Sequence, residues 1–511
     1  MTSSRTDTTA WRSAAWAVAA GVALALAMPG PGIWPLVLVF SGLFLEALRG
    51  QRIWWRGGLI GWLAGTVHWL VTVSWVVDVL VGYGGLPILA GWGSLLLMAV
   101  ILGSTWAVVG AVTVCAPGVW RLALLPAVWT LLEVARRLPP FLFPWNTTAA
   151  VLSGKPLLLG ALPTWGATGQ GWALVALGCA LWGLFRSELP RRAMAFAGAV
   201  IMLQALALVA ARGPESSADD IEVAVIQPGT SLEERWNPAA WPETAERVWR
   251  LSASVLAEDP DVLFWPESAM PFRFDGDSMY RRRVLEIARR FGTTVVLNSV
   301  AEAQPSGFGN AAFAVTSSGG ISRYDKIRLV PFGEYVPSWA KWFFPDALVR
   351  EVSGFVPGAD ATPLDAGVPL GMAVCYEVVF PELAFRQVRE GAELLATLTN
   401  DAWYGDSWAL DQHFAQAILR AVETRRWVVR AALTGISGVI DPTGKVIASL
   451  GAGEQGAFVE TVVPSRQLTL VARIGDWWVW VCVLSLIILW LPKVRRLDSS
   501  SGPAGSRARD R

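Results

Sequence analysis

Histidine and charge are both scarce in this sequence. It has two histidines and four cysteines among 511 residues, and charged residues make up only 16%. So few histidines leave no cluster of His and Cys side chains with zinc spacing, and no metal is expected. The net charge of +1 gives no overall field that would attract nucleic acid. The composition therefore excludes a zinc protein and a nucleic-acid-binding protein.

A disulfide framework is also not expected. Three of the four cysteines, Cys115, Cys179 and Cys482, lie in long apolar stretches, where a thiol behaves as a small apolar group. Only Cys375 lies in a polar region, and that region holds no second cysteine to pair with it.

What the sequence has in abundance is long apolar runs. Apolar residues make up 53% of the chain, and a bilayer core of about 30 Å needs roughly 20 residues of helix. Residues 1–212 are predicted to form a bundle of seven membrane helices, and an eighth apolar run follows the polar region. The first run has no cleavage site after it, so we interpret it as a retained helix. The eight runs are 12–29, 33–48, 57–80, 87–115, 120–136, 163–185, 193–211 and 474–491.

The distribution of arginine predicts the orientation. Arginines precede the first run and separate the second from the third and the sixth from the seventh, which places these breaks in the cytoplasm. Both termini are then cytoplasmic, and the polar region lies on the periplasmic or outer face of a bacterial inner membrane. Arg136, Arg137 and Lys155 do not follow this rule. The proline-rich loop 137–162 is therefore predicted to be a re-entrant or interface-lying segment.

Residues 220–465 have the pattern of a layered α/β domain, in which β-branched runs alternate with amphipathic stretches. The Ser/Gly/Arg-rich tail 497–511 is predicted to be disordered. Predicted strands cover 221–226, 261–265, 293–298, 310–316, 370–375, 393–398, 434–440 and 457–463, and predicted helices cover 239–257, 278–291, 381–390 and 411–429.

Three strand ends of this domain are predicted each to deliver a reactive side chain. Glu267 comes after an apolar strand in DVLFWPES, Lys326 lies in RYDKIRLVPFGEYVP, and Cys375 ends an apolar strand before a helix in LGMAVCYE. Alone, such a Glu is usually a solvated cap and such a Cys is usually inert packing. Together they supply the base, the cation and the nucleophile that acyl transfer requires.

These motifs, in the chain order Glu, Lys, Cys, resemble the nitrilase superfamily over 220–465. Within it, a helical bundle before the domain and one helix after it resemble the apolipoprotein N-acyltransferase family. Further segments resemble that family as well: IQP at 226–228, TNDAWYGDS at 399–407, QHF at 412–414 and GDWW at 475–478. The fold implied is a polytopic α-helical bundle of about eight transmembrane helices with a nitrilase-like α-β-β-α sandwich.

The resemblance also implies an activity. A member of this family takes an acyl chain from a phospholipid, with phosphatidylethanolamine as the expected donor. It transfers the chain through a thioester to the α-amino group of a diacylglyceryl-modified N-terminal cysteine on an apolipoprotein. Glu267 would be the base, Lys326 the stabilising cation and Cys375 the nucleophile. No cofactor is expected, because the conversion of a thioester to an amide is downhill, and attachment to the membrane favours a monomer.

Four further positions match residues that support catalysis or shape the pocket in the family: Trp236, Glu334, Tyr376 and Glu377. Glu334 is expected to pair with Lys326 and hold it charged. Tyr376 is expected to contribute its backbone N–H to the oxyanion site.

Three other functions remain as alternatives. The nearest is a membrane-anchored nitrilase-type amidase that hydrolyses a small C–N bond, although seven helices are excessive for an anchor. A catalytically inactive scaffold is disfavoured because the triad is complete. A transporter would need more intramembrane ionisable residues than His68, Asp78 and Glu133, and His68 is interpreted as a packing residue.

One segment of the domain allows two readings. Residues 336–357 form either an apolar lid near the membrane or ordinary packing under a loop. Its large apolar side chains are Trp339, Trp342, Phe343, Phe344 and Phe355.

Overall fold

A computed structural model describes residues 3–116, 118–186, 190–211, 213, 219–303, 307–337 and 354–498. Most of the segment 336–357 and the tail from 499 therefore lie outside the described residues, and both predictions about them stay open. Phe355 is described, and it forms an isolated β-bridge with Phe308.

Each of the eight apolar runs contains a helix, and the helices pack into one bundle. Four described helices are long and apolar enough to cross a membrane, or five if one bent pair is a single span. The number of about eight spans thus stays a prediction. The bundle helices before the polar domain are α1 (Ser3–Ala27), α2 (Leu36–Ala47), α3 (Trp54–Thr72), α4 (Val76–Tyr83), α5 (Ile88–Cys115), α6 (Trp120–Ala135), α7 (Leu162–Phe185) and α8 (Pro190–Ala210).

The third apolar run is not one helix, as the sequence predicted. It breaks after Thr72 and bends by 60° between α3 and α4. A break inside a bundle requires new partners for the released backbone groups. Gln412 of the polar domain supplies one, because its Nε2 donates to the Thr72 carbonyl over 3.0 Å. The bend is therefore stabilised by a side chain from a distant part of the chain.

The last apolar run also begins later than predicted. A short helix, Leu470–Ile474, ends at Gly475, whose φ of +72° stops it. Glycine adopts a positive φ without the steric cost that a side chain would add. The final bundle helix then covers Trp478–Asp498, beyond the predicted end at 491.

Residues 221–462 form two sheets of six strands that pack face to face. The first sheet has the order β12-β1-β2-β3-β4-β5 and the second the order β11-β10-β9-β8-β7-β6. The strands are β1 (Ile221–Gln227), β2 (Val262–Phe264), β3 (Thr294–Glu302), β4 (Phe308–Val315), β5 (Ile321–Asp325), β6 (Leu364–Asp365), β7 (Pro369–Val374), β8 (Leu394–Thr399), β9 (Val428–Ala432), β10 (Ser437–Ile440), β11 (Val446–Leu450) and β12 (Gly456–Val462).

Helices cover the outer face of each sheet. Trp241–Leu256 and Ser278–Phe291 pack on the first sheet, while Pro381–Arg389 and Ala409–Thr424 pack on the second. Ala409–Thr424 also contacts the bundle helix Leu162–Phe185, and Pro381–Arg389 contacts the short helix Leu470–Ile474. One continuous apolar core therefore includes bundle residues such as Phe40 and Trp129 together with Phe385 and Ile418 of the sandwich.

Strands β5, β6, β9 and β11 were not among the strands predicted from the sequence. The predicted helix 411–429 was too long, because it ends at Thr424 and β9 begins at Val428. Arg425 stops the helix with a φ of +54°. The buried Arg426 guanidinium then donates to the Ala392 and Gln467 carbonyls. These tertiary contacts, which local periodicity cannot reveal, turn an apolar helical pattern into a central strand.

The loop 137–162 lies between the bundle and the sandwich. Arg136 and Arg137 are buried there, and Arg137 forms an ion pair with Asp476. Trp145 is also buried and donates its indole N–H to Gln412 Oε1 over 2.7 Å. Internal carboxylates neutralise both arginines, Glu133 for Arg136 and Asp476 for Arg137, so these two residues carry no information about the predicted orientation.

Candidate active site

Three strand ends bring the predicted triad together at one edge of the sandwich. Glu267 follows β2, Lys326 follows β5 and Cys375 follows β7, so both sheets contribute. All three residues are buried, with 7%, 1% and 8% of their surfaces exposed. Their charges act on one another, since Glu267 and Cys375 both favour the charged form of Lys326. The site is a dry cluster of one carboxylate, one cation and one thiol.

Cys375 occupies a strained turn at the end of β7. Its φ is +53°, and the 3-10 turn Cys375–Val379 begins at this residue. A non-glycine residue in this region costs about 1–3 kcal/mol and persists only where surrounding contacts hold it. Burial raises the pKa of the Cys375 thiol, the Glu267 charge adds to this rise, and Lys326 opposes it. The thiol therefore needs a base to become a nucleophile.

Lys326 is held charged by two carboxylates. Burial works against its charge, but Glu334 and Glu267 outweigh burial and raise the pKa of Lys326. The Lys326 Nζ lies 2.9 Å from Glu334 Oε1. The Val330 N–H donates to the other Glu334 oxygen over 2.7 Å and fixes that carboxylate in turn. A permanent, oriented ammonium group at this place can stabilise an oxyanion.

Glu267 is oriented by two amide donors. Asn310 Nδ2 donates to its Oε1 over 2.8 Å, and the Asn400 backbone N–H donates to its Oε2 over 2.8 Å. Asn310 Nδ2 also lies 2.9 Å from Glu334 Oε1, so this one side chain bridges the carboxylates of Glu267 and Glu334. Asn298 orients Asn310 by donating to its Oδ1 over 2.7 Å.

No role for these asparagines was predicted from the sequence. A signal was present, because Asn298 and Asn310 interrupt the apolar strands β3 and β4. A polar side chain at a buried strand position requires a hydrogen-bond partner, so it indicates that another polar group is buried beside it.

Glu377 connects the segment after Lys326 with the strand before Cys375. Its Oε1 accepts from the Tyr324 hydroxyl at 2.9 Å and from the N–H groups of Ile327 and Arg328 at 2.7 and 3.0 Å. Its Oε2 accepts from the Val374 N–H at 2.8 Å. This carboxylate therefore fixes the distance between the two sheets at the site.

Comparison with known proteins agrees with this architecture. The carbon-nitrogen hydrolase family model matches residues 222–474, and the model of the apolipoprotein N-acyltransferase N-terminal domain matches residues 20–180. An apolipoprotein N-acyltransferase of Geobacter metallireducens is 33% identical, over 94% of this chain and 95% of that protein. The chain belongs to the apolipoprotein N-acyltransferase family.

Two further proteins are similar to this chain. The apolipoprotein N-acyltransferase of Methylococcus capsulatus is 32% identical, over 80% of this chain and 82% of its own. A solved Saccharomyces cerevisiae member of branch 10 of the nitrilase superfamily is 19% identical with a TM-score of 0.38, and covers 49% of this chain and 93% of its own. The predicted nitrilase-like α/β fold is confirmed by the family match.

As a member of the apolipoprotein N-acyltransferase family, the chain is an acyltransferase of lipoprotein biosynthesis and a membrane enzyme. Membership decides against the amidase, scaffold and transporter alternatives. Among the residues that the structure describes, no group of three His, Cys, Asp or Glu side chains is arranged to hold a metal ion.

For two of the predicted supporting residues, the structure places the side chain at the bundle loop or at the protein surface. The Tyr376 hydroxyl donates to the Leu142 carbonyl over 2.9 Å, so this side chain contacts the bundle loop. Trp236 is 69% exposed at the end of the turn Leu232–Trp236. Its neighbour Arg235 is closer to the triad, because it donates to the carbonyl of Ser268 over 2.9 Å.

Glu377 gives the acyltransferase a pH-dependent stability. Burial raises the pKa of Glu377 from 4.5 to about 6, so the folded state binds its proton more tightly than the unfolded state. Stability contributed by this proton therefore increases as pH falls from 6 to 4.5, by about 2 kcal/mol. Unfolding in detergent at pH 4.5 and 7.5 is expected to show a difference in stability that is larger in the wild type than in Glu377→Gln by about 2 kcal/mol.

The matched control for this experiment is Glu246→Gln, which changes an exposed carboxylate on the helix Trp241–Leu256. That variant should keep the wild-type difference. The same pH difference in wild type and Glu377→Gln would show that Glu377 does not titrate in this range.

Proposed function

We propose that the enzyme transfers a fatty acyl chain from a glycerophospholipid, through a thioester on Cys375, to an apolipoprotein. The acceptor is the α-amino group of an N-terminal diacylglyceryl-cysteine, and phosphatidylethanolamine is the donor. The observation that carries this proposal is the buried group of Glu267, Lys326 and Cys375, placed where the sandwich meets an apolar bundle.

The first half-reaction forms the thioester. Glu267 removes the proton from the Cys375 thiol, and the thiolate attacks the carbonyl carbon of the glycerol ester. Lys326 and the Tyr376 backbone N–H stabilise the oxyanion of the tetrahedral intermediate. When the intermediate collapses, the C–O bond breaks and the lysophospholipid oxygen takes the proton from Glu267.

The second half-reaction forms the amide. The neutral α-amine of the acceptor attacks the thioester carbonyl, and Glu267 accepts a proton from the nitrogen. The C–S bond breaks, the thiolate recovers that proton through Glu267, and the N-acylated lipoprotein leaves. Conversion of a thioester to an amide is downhill, so the cycle requires no nucleotide, metal or other cofactor.

Burial of the triad favours transfer over hydrolysis. A thioester held where 8% or less of each reacting residue is exposed has little contact with water. The amine of a lipid-anchored acceptor can reach it because the acceptor's own acyl chains stay in the bilayer.

The bundle has a physical role in this scheme. Extraction of a lipid into a soluble pocket would cost about 0.8 kcal/mol for each CH₂ removed from the membrane. We place about eight helices across a bacterial inner membrane, with both termini cytoplasmic and the sandwich on the periplasmic face as a monomer. The triad then lies near the ester groups of the outer leaflet.

The test is intact-mass measurement of the full-length protein in detergent. Incubation with diacyl phosphatidylethanolamine should add one fatty-acyl mass, labile to hydroxylamine and mapped to the peptide that contains Cys375. The dialkyl ether analogue has no ester carbonyl and is the matched control, which should add nothing. Lack of an adduct with the diester, or an adduct on another residue, would contradict the proposal.

A second step tests the acceptor. A synthetic peptide with an N-terminal diacylglyceryl-cysteine should remove the acyl group from the enzyme and gain its mass. The same peptide with an acetylated α-amine should not. Release of free fatty acid with both peptides would instead indicate a hydrolase.

A further inference from the structure

The carbonyl group of the nucleophile has a buried partner that the proposed mechanism does not use. His413 Nε2 lies 3.1 Å from the Cys375 carbonyl oxygen. His413 belongs to the helix Ala409–Thr424 on the second sheet, and its side chain is fully buried.

Two charged residues hold the other side of the ring. Asp401 Oδ1 lies 2.9 Å from His413 Nδ1, and Arg430 Nη2 lies 3.1 Å from the same atom. Arg430 Nη2 also donates to Asp401 Oδ2 over 2.6 Å. The side chains of Asp401 and Arg430 are both completely buried. We refer to His413, Asp401 and Arg430 as the elbow cluster.

The contacts of the elbow cluster define where the imidazole proton lies. A carbonyl oxygen can only accept, so Nε2 must carry the proton. Burial lowers the pKa of His413 and Arg430 adds to this effect, while Asp401 opposes it. Nδ1 faces the Asp401 carboxylate, which can only accept, and the Arg430 guanidinium, which can only donate, and the contact of Nε2 with the Cys375 carbonyl requires the Nε2 proton with either partner.

Aromatic residues and the bundle fix the position of this ring. Trp145 stacks on His413 with ring centres 5.5 Å apart, and Tyr404 meets its edge at 5.9 Å. The preceding residue, Gln412, is bound to the Thr72 carbonyl of the broken membrane helix. The ring cannot follow the Cys375 carbonyl if that carbonyl moves.

We infer that His413 is a positioning residue for the nucleophile, an inference that rests on the proposed role of Cys375. Its Nε2–H holds the Cys375 carbonyl and maintains the φ of +53° that places the thiol beside Glu267 and Lys326. Without this anchor, the turn relaxes toward negative φ and moves the thiol away from its base and cation.

Variants at His413 distinguish a residue that positions Cys375 from one that only fills space in the core. His413→Phe keeps an aromatic ring against Trp145 but removes the N–H, so kcat for acyl transfer should fall by about 100-fold with KM unchanged. The rate at which iodoacetamide alkylates Cys375, measured on the peptide that contains it, should fall as well, because the thiol has moved away from its base and its cation. His413→Gln can place an amide N–H near the carbonyl and should recover about tenfold, the equivalent of one hydrogen bond.

The matched control is His68→Phe, because His68 is the other histidine of the chain and stacks on Trp106 inside the bundle. This variant should keep the wild-type kcat. Equal losses in His413→Phe and His413→Gln, or a rise in KM with kcat unchanged, would overturn the positioning role.

A measurement on the wild type does not depend on the folding of any variant. With two histidines in the chain, ¹⁵N-histidine NMR gives two sets of ring signals, and His68→Phe assigns them. A proton on Nε2 of His413 is expected, and a ring protonated on Nδ1 alone would overturn the inference. Absence of an acyl-enzyme in the wild type would contradict the proposed function instead, and the ring protonation would still decide whether His413 holds the carbonyl.

Discussion

Lys326→Met will lower the rate of acyl-enzyme formation by about 10²- to 10³-fold, the usual effect of losing one oxyanion donor. It will also destabilise the fold by about 3–5 kcal/mol, because Glu334 then remains buried without its cation. Lys326 is 1% exposed and lies 2.9 Å from Glu334, so water cannot replace the lost charge. Intact-mass time courses give the first quantity and unfolding in detergent gives the second.

The double variant Lys326→Met/Glu334→Gln separates the two effects. It removes both charges of the pair, so most of the lost stability should return, since a buried pair replaced as a unit costs little. Activity should stay low, because no cation faces the oxyanion. Recovery of activity together with stability would show that Lys326 serves only to neutralise Glu334.

Glu267→Gln will slow acyl-enzyme formation by about 10²- to 10⁴-fold, since it removes the general base while preserving shape. The fold should lose about 1–3 kcal/mol, because the glutamine amide cannot accept from both Asn310 and Asn400. The rate is measured as the growth of the acyl mass in a single turnover. Acyl transfer from a preformed thioester to the amine should slow as well, because the same carboxylate serves both steps.

Glu286→Gln is the matched control for Glu267→Gln, as it changes an exposed glutamate on the helix Ser278–Phe291. It should leave both half-reactions unchanged. If Glu267→Gln slowed only one half-reaction, a different group would have to be the base in the other.

The sequence was informative about two members of the triad because each follows a local pattern, whereas Lys326 follows β5, which was not predicted. Glu267 and Cys375 come directly after short apolar strands, and the structure has β2 and β7 at these places. The groups that orient the triad have no such pattern. Asn310 and His413 lie inside a strand and a helix, and their partners come from residues 43 and 38 positions away. Only the tertiary fold brings these pairs together.

The bundle shows the same limit. Run length predicted where helices occur, because a bilayer requires long apolar segments. It did not predict the break after Thr72, since the carbonyl released there is bound by Gln412, 340 residues later. Likewise β9 reads as a continuation of the preceding helix until the buried Arg426 and the pairing with β8 and β10 are known.

The continuous apolar core between bundle and sandwich limits how this enzyme can be divided. Phe380, Phe385 and Ile418 are each at most 4% exposed, and they belong to the same cluster as bundle residues. A sandwich expressed alone would expose to solvent the apolar face that packs against the bundle, and it would tend to aggregate. A water-soluble version for screening or engineering therefore requires polar substitutions on that face, and the membrane helices are as much a part of the sandwich's interior as its own strands.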